Sequence, residues 1–421
     1  MHREVLNKFI KVSKRFGNEY NFSKNQLHQL ILKKKNFITY KSSLVGLLPN
    51  LMLTLLSIIS ILKCKLTGVS IANYFIVFKN NKGNYDFRSK YILDGFNFKK
   101  SLNIVRCHTF IDSLYAYIRY PNVIFYNSIT YFNKPFIYQK GNLYFHYKKI
   151  HIAEKKTLNV FKKIFIFLNI RRYISIDDQR VIQIFLEICR DLNIRSFGYM
   201  HYKFSHYVIG IKYLCFDHFF VWSNYFKKKL IGVNKKYKYK NIIITGYPKK
   251  LTNKQINKKN IVLYLIDLNI SFEKISKILK KISSIKNVEL IIKLKAQDIK
   301  NIKWINFAVK NKVKIFYKES LEEINNKYNI DFFIATISTA MLEATNYNAM
   351  PIKIITKNDF ADDLLKDKVV EGVKNINILK KIIKDKPSNV RIKKIFTKVW
   401  GKKSYSREKI KKIISKLILN G

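Results

Sequence analysis

Apolar and polar positions change period repeatedly along this chain, and the changes divide it into elements. From Ser70 to about Tyr138, β-branched and aromatic runs such as "SIANYFIVF", "LNIVRC" and "NVIFYN" alternate with polar breaks and predict strands. "RRYISIDD" predicts a further strand ending at Asp177 and Asp178. "QRVIQIFLEICRDLNI" then spaces its apolar residues as a helix does, and "RSFGYMH" returns to strand. Strand, helix, strand in this order is the pattern of a parallel sheet, because parallel neighbours need a crossover long enough to hold a helix. The same order continues through "CFDHFFVWS", a helix at "NYFKKKLIG" and the strand "NIIITGYPKK".

Gly246 and Pro248 end that strand, and a lysine- and asparagine-rich stretch from Lys249 to Asn260 marks a boundary. A second series begins beyond it. Strands are predicted at "IVLYLID", "VELIIKLK", "VKIFYKES", "DFFIATI" and "PIKIIT", with helices at "SFEKISKILKKISSI", "LEEINNKYN" and "STAMLEATNYN" between them. The expected fold is α/β, with two Rossmann-like domains facing a cleft. Residues 1–245 form the first, with a basic apolar segment at its start; residues 246–395 form the second, and 396–421 a basic terminal helix.

One stretch breaks the pattern. "SSLVGLLPNLMLTLLSIISIL", Ser42 to Leu62, carries no charge over about the length a membrane-spanning helix needs. Pro49 and Asn50 interrupt it, so the remaining Leu51–Leu62 predicts a buried or interfacial helix rather than a span. The amino terminus, "MHREVLNKFIKVSKRF", is basic and amphipathic and lacks the apolar core and small-residue cleavage site of a secretory signal.

Composition narrows the partners. With 81 basic and 27 acidic residues the formal charge is +54. Such a field attracts anionic surfaces, at on the order of 1 kcal/mol for each Lys or Arg that reaches an anionic bilayer. The basic residues are spread along the chain, and no helix-turn-helix, zinc-finger or RNP-type pattern appears, so nucleic acid is not an expected partner. Cys64, Cys107, Cys189 and Cys215 lie far apart with no C-x-x-C, which predicts neither a zinc site nor a disulfide framework and fits a reducing cytoplasm.

Candidate chemistry is concentrated in "FFIATISTAMLEATNYNAMPIKII", Phe332 to Ile355. Ser338 and Thr339 fall where a buried strand turns into a helix, and Glu343 follows one turn later. Hydroxyls beside the free N–H groups of a helix start make a phosphate cradle, and a carboxylate there can bind both hydroxyls of a ribose. The plainer alternative is that Ser338 caps the helix and Glu343 supports its start. His201 ends a predicted parallel strand, where open α/β sheets bind ligands, and its imidazole can titrate near neutral pH. It is a candidate general base, or a histidine packed between strand and helix. Asp177 and Asp178 end the neighbouring strand; adjacent side chains of an extended chain point to opposite sides, so one of them is expected to cap a helix. No D-x-D at a strand end, G-x-G-x-x-G, P-loop or G-x-S-x-G is present, which removes the main warrants for metal-dependent GT-A transferase, dehydrogenase, kinase and hydrolase readings.

The run "D-x-x-I-A-T-x-S-T-A-M-L-E-A-x-x-Y-N-A-M-P-I" resembles the nucleotide-binding strand and helix of GT-B glycosyltransferases, particularly bacterial capsule, lipopolysaccharide and sialyl transferases. "NIIITGYPK" resembles their "V-T-G-x-P" linker strand, and "FVWSNYFKKKLI" the segment before it. The likeness extends from about Ile174 to Leu379. It implies that Ser338 and Thr339 hold donor phosphate, that Glu343 holds the ribose, and that the first domain serves the acceptor. Two features depart from the pattern. Relatives carry His-Pro after the "LIIK" strand, where this chain reads "LIIKLKAQ", so Lys293 or Lys295 takes the phosphate or stays solvated. His201 is followed by Tyr202 where relatives often have His-Gly. The implied activity is metal-independent transfer of a sugar from a nucleotide-sugar donor, a substrate rather than a cofactor, to a glycan or lipid-linked glycan acceptor of capsule or lipopolysaccharide. The implied location is peripheral, on an anionic membrane surface at the inner face of the cell membrane. A CDP-glycerol-like polyol phosphate transferase and a non-catalytic glycan-assembly protein are the alternatives.

Overall fold

The computed structural model describes residues 2–32, 44–77, 100–107, 109–130, 143–175, 181–200, 204, 209–247, 259–266, 271–294, 302–338, 340–356, 362–385, 388–401 and 407–420. The chain forms two compact units. One contains Arg3–Trp222, Phe226–Thr245 and Ser406–Gly421; the other contains Gly246–Tyr405 with Met1–His2 and Ser223–Tyr225.

The first unit is built on a seven-stranded parallel sheet. Its strands are β1 (Ile71–Val77), β2 (Ser101–Cys107), β3 (Val123–Phe125), β4 (Arg172–Ser175), β5 (Arg195–Tyr199), β6 (His218–Val221) and β7 (Ile242–Ile244), in the spatial order β3-β2-β1-β4-β5-β6-β7. Most strand residues are buried because helices cover both faces of such a sheet. Tyr74, Phe75, Val77, Ile104 and Val105 have no exposed surface.

Helices of this unit are α1 (His2–Ser13), α2 (Lys24–Leu32), α3 (Leu44–Leu66), α4 (Phe110–Arg119), α5 (Tyr126–Ile129), α6 (Leu143–Phe167), α7 (Ile182–Asp191), α8 (Ile209–Tyr213) and α9 (Asn224–Val233). Asn224 and Tyr225, at the start of α9, group with the second unit. The amphipathic amino terminus is packed: Val5, Phe9, Phe16, Leu27 and Ile31 form a core with Tyr147 of α6. α3 is one continuous helix, so Pro49 does not interrupt it. Pro49 is its sixth residue, so the helix continues past it with one backbone N–H fewer to bond four residues back.

The second unit repeats the plan with six parallel strands. These are β8 (Asn260–Leu265), β9 (Val288–Lys293), β10 (Lys314–Phe316), β11 (Phe332–Ala335), β12 (Met350–Ile354) and β13 (Glu371–Val373), in the order β10-β9-β8-β11-β12-β13. Its helices are α10 (Phe272–Ser283), α11 (Ile302–Lys310), α12 (Leu321–Tyr328), α13 (Ala340–Ala344), α14 (Asp362–Lys366), α15 (Ile376–Lys384) and α16 (Asn389–Trp400). The chain from 396 onward is not a single helix. α16 ends at Trp400, Gly401 takes φ 90°, and a separate α17 spans Arg407–Asn420. Both units thus have the strand order of a Rossmann fold.

With few glycines, the chain makes most of its left-handed turns among the described residues with asparagine. Asn122, Asn169, Asn193, Asn287, Asn329 and Asn348 all have φ between 52° and 63°. Asparagine tolerates this region better than most residues, and at Asn329 it closes α12 by a C-terminal cap.

Two histidines of the first unit are shifted toward their neutral form. Ser23 Oγ lies 3.1 Å from His151 Nδ1 and 2.8 Å from Tyr147 Oη, and the Tyr20 ring stacks on His151. Burial pushes the His151 pKa down, Lys155 adds to the effect and Glu19 opposes it. Burial likewise lowers that of His218, partly offset by Asp217 and reinforced by Arg195. The unfolded chain takes up these protons near the ordinary value of about 6.5, the folded chain only at lower pH. Stability is therefore complete above about pH 6.5 and falls as the pH drops from there toward the folded values. The urea midpoint should decrease between pH 7.5 and 5.5, and His151→Gln should flatten that slope. An unchanged slope in the variant would assign the pH dependence to other groups.

Candidate functional site

In the second sheet β8 is flanked by β9 on one side and β11 on the other, so the order of growth reverses between β8 and β11. Ligands of open α/β sheets bind outside the carboxyl ends of the strands at such a reversal. The segment singled out in the sequence leaves the sheet at this point. β11 pairs with β8 through Phe332, Phe333 and Ile334, and its carboxyl end leads through buried Thr336 to Ser338.

Ser338 is 8% exposed, and its Oγ accepts the Ala340 N–H at 3.2 Å. That bond, to the first residue of the helix, is the kind of contact the capping alternative requires. It uses only the oxygen's acceptor capacity, and the hydroxyl proton can still be donated. Glu343 follows in α13, half-buried. α13 spans five residues before passing into the 3-10 turn Thr345–Tyr347, so it adds little of a long helix's dipole; what it offers is local N–H groups. Met341, Leu342 and Ala344 are buried beneath it. Thr345 Oγ1 donates to Leu342 O at 2.8 Å and accepts from the indole N–H of Trp400 at 3.0 Å, and Trp400 stacks on Tyr247. This bracing fixes the turn carrying Ser338 and Glu343 to α16.

Lys293 ends β9, at the same carboxyl edge. Its ammonium donates to Leu294 O at 3.3 Å and to Tyr317 O, just beyond β10, at 3.4 Å. It is therefore turned away from β8 and β11, and β8 separates its strand from that of Ser338. Thr339 and Lys295 lie outside the described residues, as do His201, Asp177 and Asp178. The strands that lead to the last three are described. Met200 N donates to Phe220 O at 3.0 Å, so β5 reaches its carboxyl edge immediately before position 201. β4 ends at Ser175, two residues before Asp177.

One charged residue was not anticipated from sequence. Lys353 stands in β12 beside Ala335 of β11, and its side chain is fully buried. Its Nζ makes no hydrogen bond among the described residues, and its charge is met by Asp362 Oδ1 at 3.4 Å, in the first turn of α14. Complete burial makes Lys353 a structural charge that braces the site, not a ligand at its surface. The available signal was a lysine set inside the apolar run "PIKII".

Two other features bear on chemistry. A cavity of about 660 Å³ lies in the first unit near Asn193, Arg195, Ser196 and Asp217. Ser196 donates both its N–H and its hydroxyl to Asp217 Oδ2 at 2.8 Å, and these residues begin β5 and precede β6. The cavity is thus at the amino edge of the sheet, opposite to the edge at which such sheets bind ligands. Among the described residues no group of three His, Cys, Asp or Glu could hold a metal ion.

No family model and no curated protein matches the sequence. Solved structures do match the fold. The lipopolysaccharide outer core galactosyltransferase WaaB is 11% identical and aligns with 83% of this chain and 99% of its own, at a TM-score of 0.50. Acinetobacter baumannii MurG is 9% identical over 84% of this chain and all of its own, at a TM-score of 0.51. S. aureus MnaA, solved with UDP, is 12% identical over 84% and 97%, at 0.50. The protein has the GT-B fold of two parallel-sheet α/β domains.

The ion pair at Lys353 predicts an asymmetry. Lys353→Met removes the buried charge at similar volume and should change stability by no more than about 1 kcal/mol. Asp362→Ala strands the ammonium without its counter-charge. It should cost at least about 1 kcal/mol more, even allowing for the carboxylate's partial exposure. Urea unfolding of the two variants side by side checks the order.

Proposed function

We propose that this protein is a glycosyltransferase that moves a sugar from a nucleotide-sugar donor to a cell-surface glycan acceptor. The observation that carries the reading is the position of Ser338 and Glu343 on a braced turn at the carboxyl end of β11, beside the reversal of strand order. The Ser338 hydroxyl and the N–H groups of the turn bind donor phosphate, with Thr339 beside them. The Glu343 carboxylate accepts hydrogen bonds from the ribose hydroxyls. Lys295 supplies positive charge toward the diphosphate, since the Lys293 ammonium is turned toward Tyr317. The GT-B fold supports this reading, and the UDP in the MnaA structure makes a uridine nucleotide the first donor to test.

The reaction requires a base on the acceptor. In the proposed step His201 takes the proton of the acceptor hydroxyl as its oxygen attacks the anomeric carbon. The new carbon–oxygen bond forms while the bond to the donor diphosphate breaks, and the nucleoside diphosphate leaves with the electron pair. Asp177 or Asp178 orients the imidazole or replaces it as base. The acceptor is a capsule, lipopolysaccharide or other lipid-linked glycan, at the inner face of the cell membrane, where the basic chain meets anionic lipid.

A thermal-shift panel of UDP, GDP, CMP and CDP should raise the melting temperature with one of the four, because a ligand that binds only the folded state stabilises it. Glu343→Ala should then weaken that nucleotide by about 1–3 kcal/mol with the fold intact. Unchanged affinity in isothermal titration would assign Glu343 a purely structural role. His201→Asn should leave donor affinity alone and lower turnover by roughly 10²- to 10⁴-fold, the usual contribution of a positioned base. A lower melting temperature with normal turnover would move the base to Asp177 or Asp178.

A further inference from the structure

α3 is built inside out. Between Leu47 and Leu66 its mean hydropathy is 1.8, yet only four residues of that stretch are buried. The buried positions are Leu53, Ser57, Ser60 and Cys64, so the most polar side of the helix faces the protein. Leu48, Met52, Leu55, Ile59, Leu62 and Leu66 face outward, with exposures from 43% to 88%. Their spacing of three, four and seven residues makes a single stripe along the helix. At a rise of 1.5 Å per residue it is about 27 Å long. A core helix would turn these residues inward.

The polar side is occupied. Ser57 Oγ donates to Leu53 O at 2.7 Å and accepts the Phe125 N–H of β3 at 3.0 Å. A helix joined in this way to the sheet of a globular unit cannot also be surrounded by lipid, so α3 is not a transmembrane span. The apolar surface continues past the helix. A hollow of about 260 Å³, lined by Ile58 and Ile61 of α3 and Val160 and Ile164 of α6, opens beside the stripe. Phe167 and Ile166, at the end of α6, are exposed where Lys65 Nζ donates to Phe167 O at 2.8 Å.

Charge selects what covers this face. α3 contains no acidic residue, and Lys63 and Lys65 are exposed in its last turns. Lys163 is exposed on α6 a turn before Phe167. A second copy of a chain carrying +54 would bring like charge against like charge. An anionic bilayer offers hydrocarbon to the stripe and phosphate to the lysines that flank it.

We propose that α3 is an in-plane membrane helix whose Leu48–Leu66 stripe enters the hydrocarbon boundary of an anionic bilayer, with Lys63 and Lys65 at the headgroups. This surface deepens the membrane location proposed above and does not depend on the nucleotide site, so each can fail without the other.

The test is flotation of the full chain with phosphatidylcholine vesicles, with and without phosphatidylglycerol. The protein should float with the anionic vesicles and stay bound in 1 M salt, where the Debye length of about 3 Å screens attraction by charge alone. Leu55→Asp/Ile59→Asp should lower the vesicle partition coefficient at least tenfold, since two buried apolar side chains are lost. Its melting temperature and nucleotide response should stay unchanged, because both positions face outward. In a separate variant, Leu55→Trp, the added fluorescence should be quenched by lipids brominated along the acyl chain. Release of the wild type by salt, or an unquenched Trp at position 55, overturns the proposal. So does a wild-type dimer in light scattering that the double variant converts to monomer without either form floating, which would make the face an interface between copies.

Discussion

Both units depend on one constraint: an all-parallel sheet has to be covered on both faces. Its strands are joined by crossovers, and the crossovers are helices that bury the apolar side chains on either side. In this chain that demand produces strands such as β1 and β8 with hardly a polar residue. It also leaves the sheet's edges, and above all the carboxyl ends of its strands, as the places where polar groups can gather without being buried. Ser338, Glu343 and Lys293 all stand at the carboxyl edge of the second sheet. The candidate site is set by the topology, since the order of growth reverses between the paired strands β8 and β11.

Polar groups that do enter the interior are arranged in pairs or networks. Lys353 is balanced by Asp362, and Asn73 of β1 donates to Ser101 Oγ and Asn103 Oδ1 of β2. Ser23, Tyr147 and His151 join the amino-terminal turn to α6. The last two tie together segments remote in sequence, and each of the three costs stability if one partner is lost, since a buried polar group left alone keeps its desolvation penalty. α3 inverts the rule. Its serines make the contacts with the sheet while its leucines and isoleucines face outward, a distribution stable in water only at a cost and favourable against lipid.

The period of apolar residues by itself determined most of the architecture. "IVLYLID" and "DFFIATI" read as buried strands because they are short, β-branched and aromatic, and "SFEKISKILKKISSI" reads as a one-sided helix because its apolar residues recur about every 3.6 positions. Local pattern also located the turn at Ser338, since a strand of this length must end where the hydroxyls begin. It did not reveal the break at Gly401, where α16 ends and α17 follows in the other unit; the lysine-rich stretch after 396 reads as one basic helix. The tertiary structure decided what periodicity leaves open. Register alone sets Lys353 beside Ala335, eighteen residues away in sequence, and packing alone turns Lys293 toward Tyr317. The inward face of α3 was undetermined for the same reason. A helix apolar on nearly every side has no inside until a neighbour supplies one, and here the Phe125 N–H, meeting Ser57, settles which side that is.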